Sequence, residues 1–433
     1  MTGHAGSAAA LCAGLVLSAT LVLRLGFGPA MPVALVSALL LLALLLRGLG
    51  RLARILLALL AAVLAAALIS GRAEGLDLGP ALFAFAFVLA TGLLREIALR
   101  DPSFRRLGET LVELRGAWRY PVVSLAVGVA GLALLIGALQ FLAGLVTERG
   151  ARRGDRRRIG TLRADLAGYV LIPLLSPLAI PFIVVSSLVP GLDWYETLPT
   201  LLAVAVAVWG AALLQDRLAG PGHADGTSSL REIDPRVVPK ALAPVALAAL
   251  LHWGAGLRLS DSAMLAIVLV ALVWAALLPD GGAVLKDGAT ASGNEAAIIG
   301  ASIATGLVLL ALVPGVGAAL PLAFLPAPLL PPLFLAAFVL PGLVGVQPAL
   351  CFMMLTPALS TLAAADPGGL APILAAIIAG WALNSITSPF GLPILIVARA
   401  GQVAPLRFLA RENAVVTIGA PLAAALILAL AAG

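Results

Sequence analysis

The side chains able to do chemistry gather in one octapeptide. Residues 384–391 read Asn-Ser-Ile-Thr-Ser-Pro-Phe-Gly, so Asn384, Ser385, Thr387 and Ser388 set four hydrogen-bonding side chains inside an otherwise apolar stretch. A proline in an apolar run interrupts a helix and frees backbone N–H and C=O groups where no water can satisfy them. Freed carbonyls, hydroxyls and an amide suit Na⁺, and freed N–H groups at a helix start suit an anion. Asn384, Thr387 and Ser388 are the candidate Na⁺ ligands. The competing role is structural, with hydroxyls satisfying backbone around a proline kink. Further hydroxyls fall at Thr356, Ser360 and Thr361, where a second turn is expected over Met354–Thr361. The expected polar site comprises Thr356, Ser360, Thr361, Asn384, Ser385, Thr387, Ser388 and Gly391, joined by Gln140 and Ser176 from the other half of the chain.

Other chemistry is scarce. The three histidines, His4, His223 and His252, are far apart, and no HExxH or DxxD pattern occurs. A membrane-embedded enzyme acting on lipid would need such acidic pairs or a His cluster. Cys12 and Cys351 sit in apolar stretches without ligand spacing, so neither a disulfide framework nor a metal site is expected. His252 reads as an interfacial residue and Glu295 as a helix N-terminal residue favoured by the dipole. With no intramembrane carboxylate in view, Na⁺ coupling, or no cation coupling, is favoured over a proton relay. No buried Arg or Lys is expected, so no carboxylate clamp is foreseen.

The elements that must position these residues follow from composition. Of 433 residues 62% are hydrophobic and only 11% charged, with a mean hydropathy of +1.11, which excludes a soluble enzyme. The net charge of +6 is spread over loops between apolar runs, so it marks cytoplasmic connections and not a nucleic-acid surface. Arg47, Arg51 and Arg54 place the second connection, and hence the N-terminus, inside. An apolar stretch near the N-terminus with no basic residues ahead of it reads as an uncleaved first span. The arginine-rich stretch from Arg95 to Arg119 reads as a cytoplasmic arm lying along the interface. Residues 120–146 are flanked by arginines on both sides, so a segment that enters and returns is expected, with Gly128, Gly131 and Gly137 allowing the reversal.

The chain also repeats itself at an offset of 212 residues. Residues 167–185 and 379–397 share Ala167/Ala379, Gly168/Gly380, Leu171/Leu383, Ser176/Ser388, Pro177/Pro389, Pro181/Pro393 and Val185/Val397. The shared Ser-Pro, with a second Pro four positions on, fixes backbone geometry and so means more than shared Ala or Leu. The expected organisation is an extra N-terminal span (1–29), a first repeat (30–214) with hairpin 120–146 and interrupted span 165–190, a cytoplasmic linker (215–240), and a second repeat (241–433) with hairpin 332–363 and interrupted span 370–398. Each repeat holds three spans, an arm, a hairpin, an interrupted span and a last span. Five crossings per copy is an odd number, so the copies must run in opposite directions, and the absence of Lys or Arg from Pro314 to Pro367 agrees. The fold class is an all-α polytopic membrane protein of about eleven transmembrane helices with two re-entrant hairpins in inverted-topology repeats.

The repeat, the hairpins and the Thr387-Ser388-Pro389 break followed by Gly391 resemble the ion transporter superfamily, which includes divalent-anion/sodium symporters and the large membrane subunits of tripartite ATP-independent periplasmic transporters. The resemblance covers nearly the whole chain after the first span. It implies an elevator transporter of a small organic solute, an anion such as a carboxylate, in a bacterial-type inner membrane. It further implies a homodimer, Na⁺ as the coupling ion, no other cofactor and, for the tripartite branch, a periplasmic binding protein as partner. The Ser-Asn-Thr motif that the symporters carry at each hairpin tip is missing from both Ala138-Leu139-Gln140 and Leu355-Thr356-Pro357.

Overall fold

The computed structural model describes residues 3–24, 30–114, 116, 118–148, 156–188, 194–219, 233–313, 325–365 and 369–433, and among them every regular element is a helix. The first half runs α1 (Gly3–Arg24), α2 (Ala30–Leu45), α3 (Arg51–Ile69), α4 (Gly79–Arg100), α5 (Pro102–Glu113), α6 (Arg119–Leu134), α7 (Ile136–Glu148), α8 (Arg156–Leu175), α9 (Ile180–Leu188) and α10 (Trp194–Ala219). The second half runs α11 (Val237–Ala255), α12 (Leu259–Ala276), α13 (Gly281–Ala291), α14 (Gly293–Leu312), α15 (Leu330–Gly342), α16 (Pro348–Ala365), α17 (Leu370–Thr387), α18 (Leu392–Gly401), the short α19 (Pro405–Arg407) and α20 (Ala414–Ala431). A helix satisfies its own backbone, which is what an apolar chain in hydrocarbon requires.

Ten helical stretches among the described residues are long and apolar enough to cross a bilayer. The expected eleven is reached only by adding α2, whose 16 residues span about 24 Å, short of a hydrocarbon core of about 30 Å. Helix α4 is hydrophobic all round and buried almost continuously from Ala81 to Ala98, whereas α3 and α20 leave most of their surface exposed. A fully apolar helix at the centre with others facing lipid is the arrangement such sequences favour.

Two helix pairs are interrupted spans. Pro177 and Pro389 disfavour helical backbone at the residue before them, so α8 stops at Leu175 and α17 at Thr387, with Ser388 extended at ψ 129°. Helices α9 and α18 restart beyond, the latter with a proline in its first turn. Close packing against the neighbouring pair depends on glycine. A Cβ on Gly168 would lie 2.3 Å from the Ser124 carbonyl on α6, and one on Gly380 would lie 2.9 Å from Phe338 Cβ on α15.

Several boundaries differ from expectation. The arm begins later, because α4 continues through Arg95 to Arg100; Asp101 then caps α5 by accepting from the Ser103 N–H, with Pro102 at its first position. The first reversal sits at Leu135, between α6 and α7, and neither at the glycines nor at Ala138–Gln140. The second sits over Leu343–Gln347, so Met354–Thr361 lies inside α16 and forms no turn. Helix α13 is an added element that the repeat did not foresee. The linker loses Gln215–Ala219 to α10 and Val237–Lys240 to α11. Residues 220–232, and residues 314–324 where the second arm was expected, lie outside the described residues.

Candidate functional site

Both breaks close by the same local turn. The Ser176 N–H donates to Ile172 O at 2.9 Å, the Ala179 N–H to Ser176 O at 3.1 Å and the Leu178 N–H to Ser176 Oγ at 3.2 Å. The Ser388 N–H donates to Asn384 O at 3.0 Å, the Gly391 N–H to Ser388 O at 3.0 Å and the Phe390 N–H to Ser388 Oγ at 3.2 Å. Each serine thus takes up an amide that the broken helix would otherwise strand.

The two breaks and the two reversals converge on one cavity of about 660 Å³. Leu134–Ile136 and Gly345–Ala349 bring the reversals to it, and Pro173 with Ala179–Pro181 and Ser388 with Phe390–Pro393 bring the breaks. Helix α4 contributes Val88, Thr91 and Arg95, and Ser292 with Asn294 and Glu295 at the start of α14 completes the wall on that side. The wall is mainly apolar with a few convergent polar groups, at a size suited to a small organic molecule. Leu135 holds φ at 49°, a left-handed conformation that a non-glycine residue adopts only under constraint, and it does so on the cavity wall.

Of the residues expected from sequence, Asn384, Ser385, Ser388 and Gly391 line this cavity. Asn384 is buried and donates through Nδ2 to Phe338 O at 2.7 Å and Val346 O at 3.4 Å, and Ser388 donates to Gly342 O, so both fasten the second reversal to the break. Ser385 donates to Ala382 O within its own helix and stands against the Tyr169 hydroxyl from α8. Thr387 is buried and donates to Leu383 O at 2.8 Å; like Ser176, it lies away from the cavity wall. Thr356, Ser360 and Thr361 donate to carbonyls of their own helix, α16, and are not brought to the cavity. Gln140 stands behind the wall, accepting at 2.8 Å from Arg95 Nη1.

Arg95 corrects the expectation that no arginine is buried. Its residue is only 6% exposed, its Nη2 lies 3.3 Å from Glu96 Oε1, and its Nε has no hydrogen-bond partner among the described residues. The sequence signal was Ile97-Ala98-Leu99 after Arg95-Glu96, one further apolar turn that carries the charge back into the helix. Glu295, noted in the sequence only for the dipole, has no hydrogen-bond or ion-pair partner among the described residues, and its Oε2 is buried. Asp165 corrects a second expectation: it is fully buried in α8 with neither oxygen bonded among the described residues, so a shortage of interior carboxylates no longer distinguishes Na⁺ from H⁺. His252 is satisfied as expected, its Nδ1 lying 2.7 Å from Leu257 O. Both cysteines are buried and free.

The fold and the site together define an all-helical integral membrane protein with a mostly apolar cavity where two interrupted helices meet. No protein-family model and no curated protein matches the chain.

Proposed function

We propose that the protein is a secondary active transporter of a small organic solute bearing a carboxylate, moved by elevator-type alternating access. The observation that carries this reading is the cavity at the meeting of two helix breaks and two reversals. Support also comes from helix bounds. Shifted by 212, α7 begins where α16 begins, α8 ends where α17 ends, α9 begins where α18 begins, and α4 ends where α14 ends. The identical turns at Ser176 and Ser388, and the close approaches at Gly168 and Gly380, recur at the same offset. Such repeats, inverted in the membrane and enclosing a site between broken helices, are the architecture of many secondary transporters. The moving unit in this reading comprises α6 to α9 and α15 to α18, both hairpins being re-entrant, with the remaining spans as scaffold.

Na⁺ is the coupling ion at the second break. The Thr387 and Ser388 hydroxyls donate their hydrogens to carbonyls, Ser388 Oγ keeping a lone pair beside the one that takes the Phe390 N–H, and Asn384 Oδ1 has no partner among the described residues. The test is uptake of labelled organic acids into proteoliposomes under a Na⁺ gradient, compared with K⁺. Uptake that needs no Na⁺ and survives Asn384→Ala would end the sodium-coupled form. Uptake driven instead by a pH gradient would transfer the coupling to H⁺, the reading that the buried and unbonded Asp165 favours. No uptake of any organic acid under either gradient would end the transporter reading itself.

A further inference from the structure

We propose that the cavity selects zwitterions, binding a solute that carries a carboxylate and an ammonium group on an apolar body; this rests on the transporter reading and sharpens it. Two opposite charges face the cavity with bonding capacity to spare. Arg95 and Glu295 both line the cavity, and Arg95 Nε and Glu295 Oε2 are buried with no hydrogen-bond partner among the described residues. A buried donor and a buried acceptor left open in a low-dielectric site are each costly unless something fills them.

Glu295 makes no ion pair with Arg95 among the described residues; the Arg95 Nη1 and Nη2 go to Gln140 and Glu96. A Cβ on Gly92 would meet Ser292 Oγ, just ahead of α14, and one on Gly300 would meet Phe85, so α4 and α14 run antiparallel with Gly92 level with Ser292. Arg95 and Glu295 each lie three residues beyond that level in opposite directions, an axial separation of about 9 Å at 1.5 Å per residue. Helical side chains tilt toward their own N-terminus, and in an antiparallel pair this brings Arg95 and Glu295 together from both ends. The gap that remains suits a carboxylate and an ammonium group in series. Gln140 holds Arg95 Nη1, and Gly137 leaves room for the arginine stem, since a Cβ there would lie 2.3 Å from its Cγ and Cδ. The guanidinium is therefore fixed before any ligand arrives.

Charge balance points the same way. The other ionic residue on the wall is Arg51, which is exposed, and Glu96 at Arg95 Nη2 offsets part of the positive charge. A dicarboxylate would set its second charge against Glu295, whereas an ammonium group would satisfy it.

The experiment measures ligand-induced stabilisation of the purified full-length protein with L-leucine, L-phenylalanine, isocaproate, isoamylamine and succinate. The expected result is a rise in Tm with one or both amino acids and none with isocaproate, which lacks the amine, isoamylamine, which lacks the carboxylate, or succinate. Glu295→Gln is expected to weaken the amino acid by about 30-fold or more and to admit isocaproate, while Arg95→Gln loses both. Should Arg95→Gln fail to fold, the selectivity change in Glu295→Gln decides alone. Stabilisation of the wild type by isocaproate or succinate equal to that by the amino acids would overturn the proposal, as would no response to either amino acid. In the first case uptake of the organic acid still stands, so the transporter reading survives the loss of this one.

Discussion

Replacing Asn384 by alanine isolates the contact that joins the second break to the second reversal. The side chain is 2% exposed and donates at 2.7 Å to Phe338 O on α15 and at 3.4 Å to Val346 O in the reversal. Its loss leaves the Phe338 carbonyl only its bond within α15 and opens a small buried gap, together about 1–3 kcal/mol. The Val346 contact is at the limit of hydrogen bonding, and Val346 lines the cavity, so water can replace it at almost no cost. Bonds between helices in membranes average below 1 kcal/mol, which lowers the sum to about 1–2 kcal/mol. That free energy acts on docking of the reversal and not on the whole fold, so opening of Leu343–Leu350 should become about 5- to 30-fold more frequent, at a factor of ten per 1.4 kcal/mol. Hydrogen exchange of peptides covering that segment, in detergent or nanodiscs, is the assay. Thr387→Val serves as the matched control, because the Thr387 hydroxyl bonds only within its own helix. Exchange in Asn384→Ala within twofold of wild type, or an equal effect of Thr387→Val, would refute the assignment of Asn384 as the fastening residue.

Three further outcomes are expected. Gly168→Val should lower stability by about 2 kcal/mol or more, because a Cβ already meets the Ser124 carbonyl at 2.3 Å and Val127 Cβ at 2.7 Å; Gly144→Ala, with nothing within 4 Å inside α7, should be neutral or raise Tm slightly. Gly391→Ala should disrupt the second break, since its Cβ would fall 2.3 Å from Ser385 O, and the readout is faster proteolysis or exchange of residues 385–395. Burial alone would raise the Asp101 carboxyl, but the Lys240 ammonium at 2.5 Å, the Ser103 hydroxyl and the Ser103 amide outweigh it and hold it below its ordinary value. A depressed folded value contributes stability above the unfolded value of about 3.9 and loses it as pH falls further. Thermal melts of wild type should therefore fall more steeply below about pH 4 than those of Asp101→Asn, and parallel curves would count against this role.

Length, composition and the spacing of apolar runs were enough to establish a helical membrane protein, because a long continuous apolar run satisfies its backbone in hydrocarbon as a helix, whereas a barrel needs short alternating strands. The two breaks were legible too, since the residue before a proline disfavours helix whatever surrounds it, and Ser176-Pro177 and Ser388-Pro389 say so locally. The reversals were harder to read. Glycines and hydroxyls suggested Gly128–Gly137 and Met354–Thr361, but Leu135 and Leu343–Gln347 make the turns, and a leucine at positive φ carries no local signal. Hydroxyls at Thr356, Ser360 and Thr361 proved to serve their own helix, as hydroxyls in apolar helices commonly do.

What only the tertiary structure decided is which charges are inside. Arg95 stands in a sequence rich in arginine and reads as one loop charge among several, and Asp165 follows a basic run in the same way. Their burial depends on where α4 and α8 end and on what packs beside them, which no local pattern encodes. Arg95 lines the cavity beside Gly137, 42 residues on in the chain, which leaves room for its stem, and Glu295 shares that cavity because α14 packs against α4. Helix breaks follow from bonds to the next residue; the electrostatics of the cavity follow from helices that meet across half the chain.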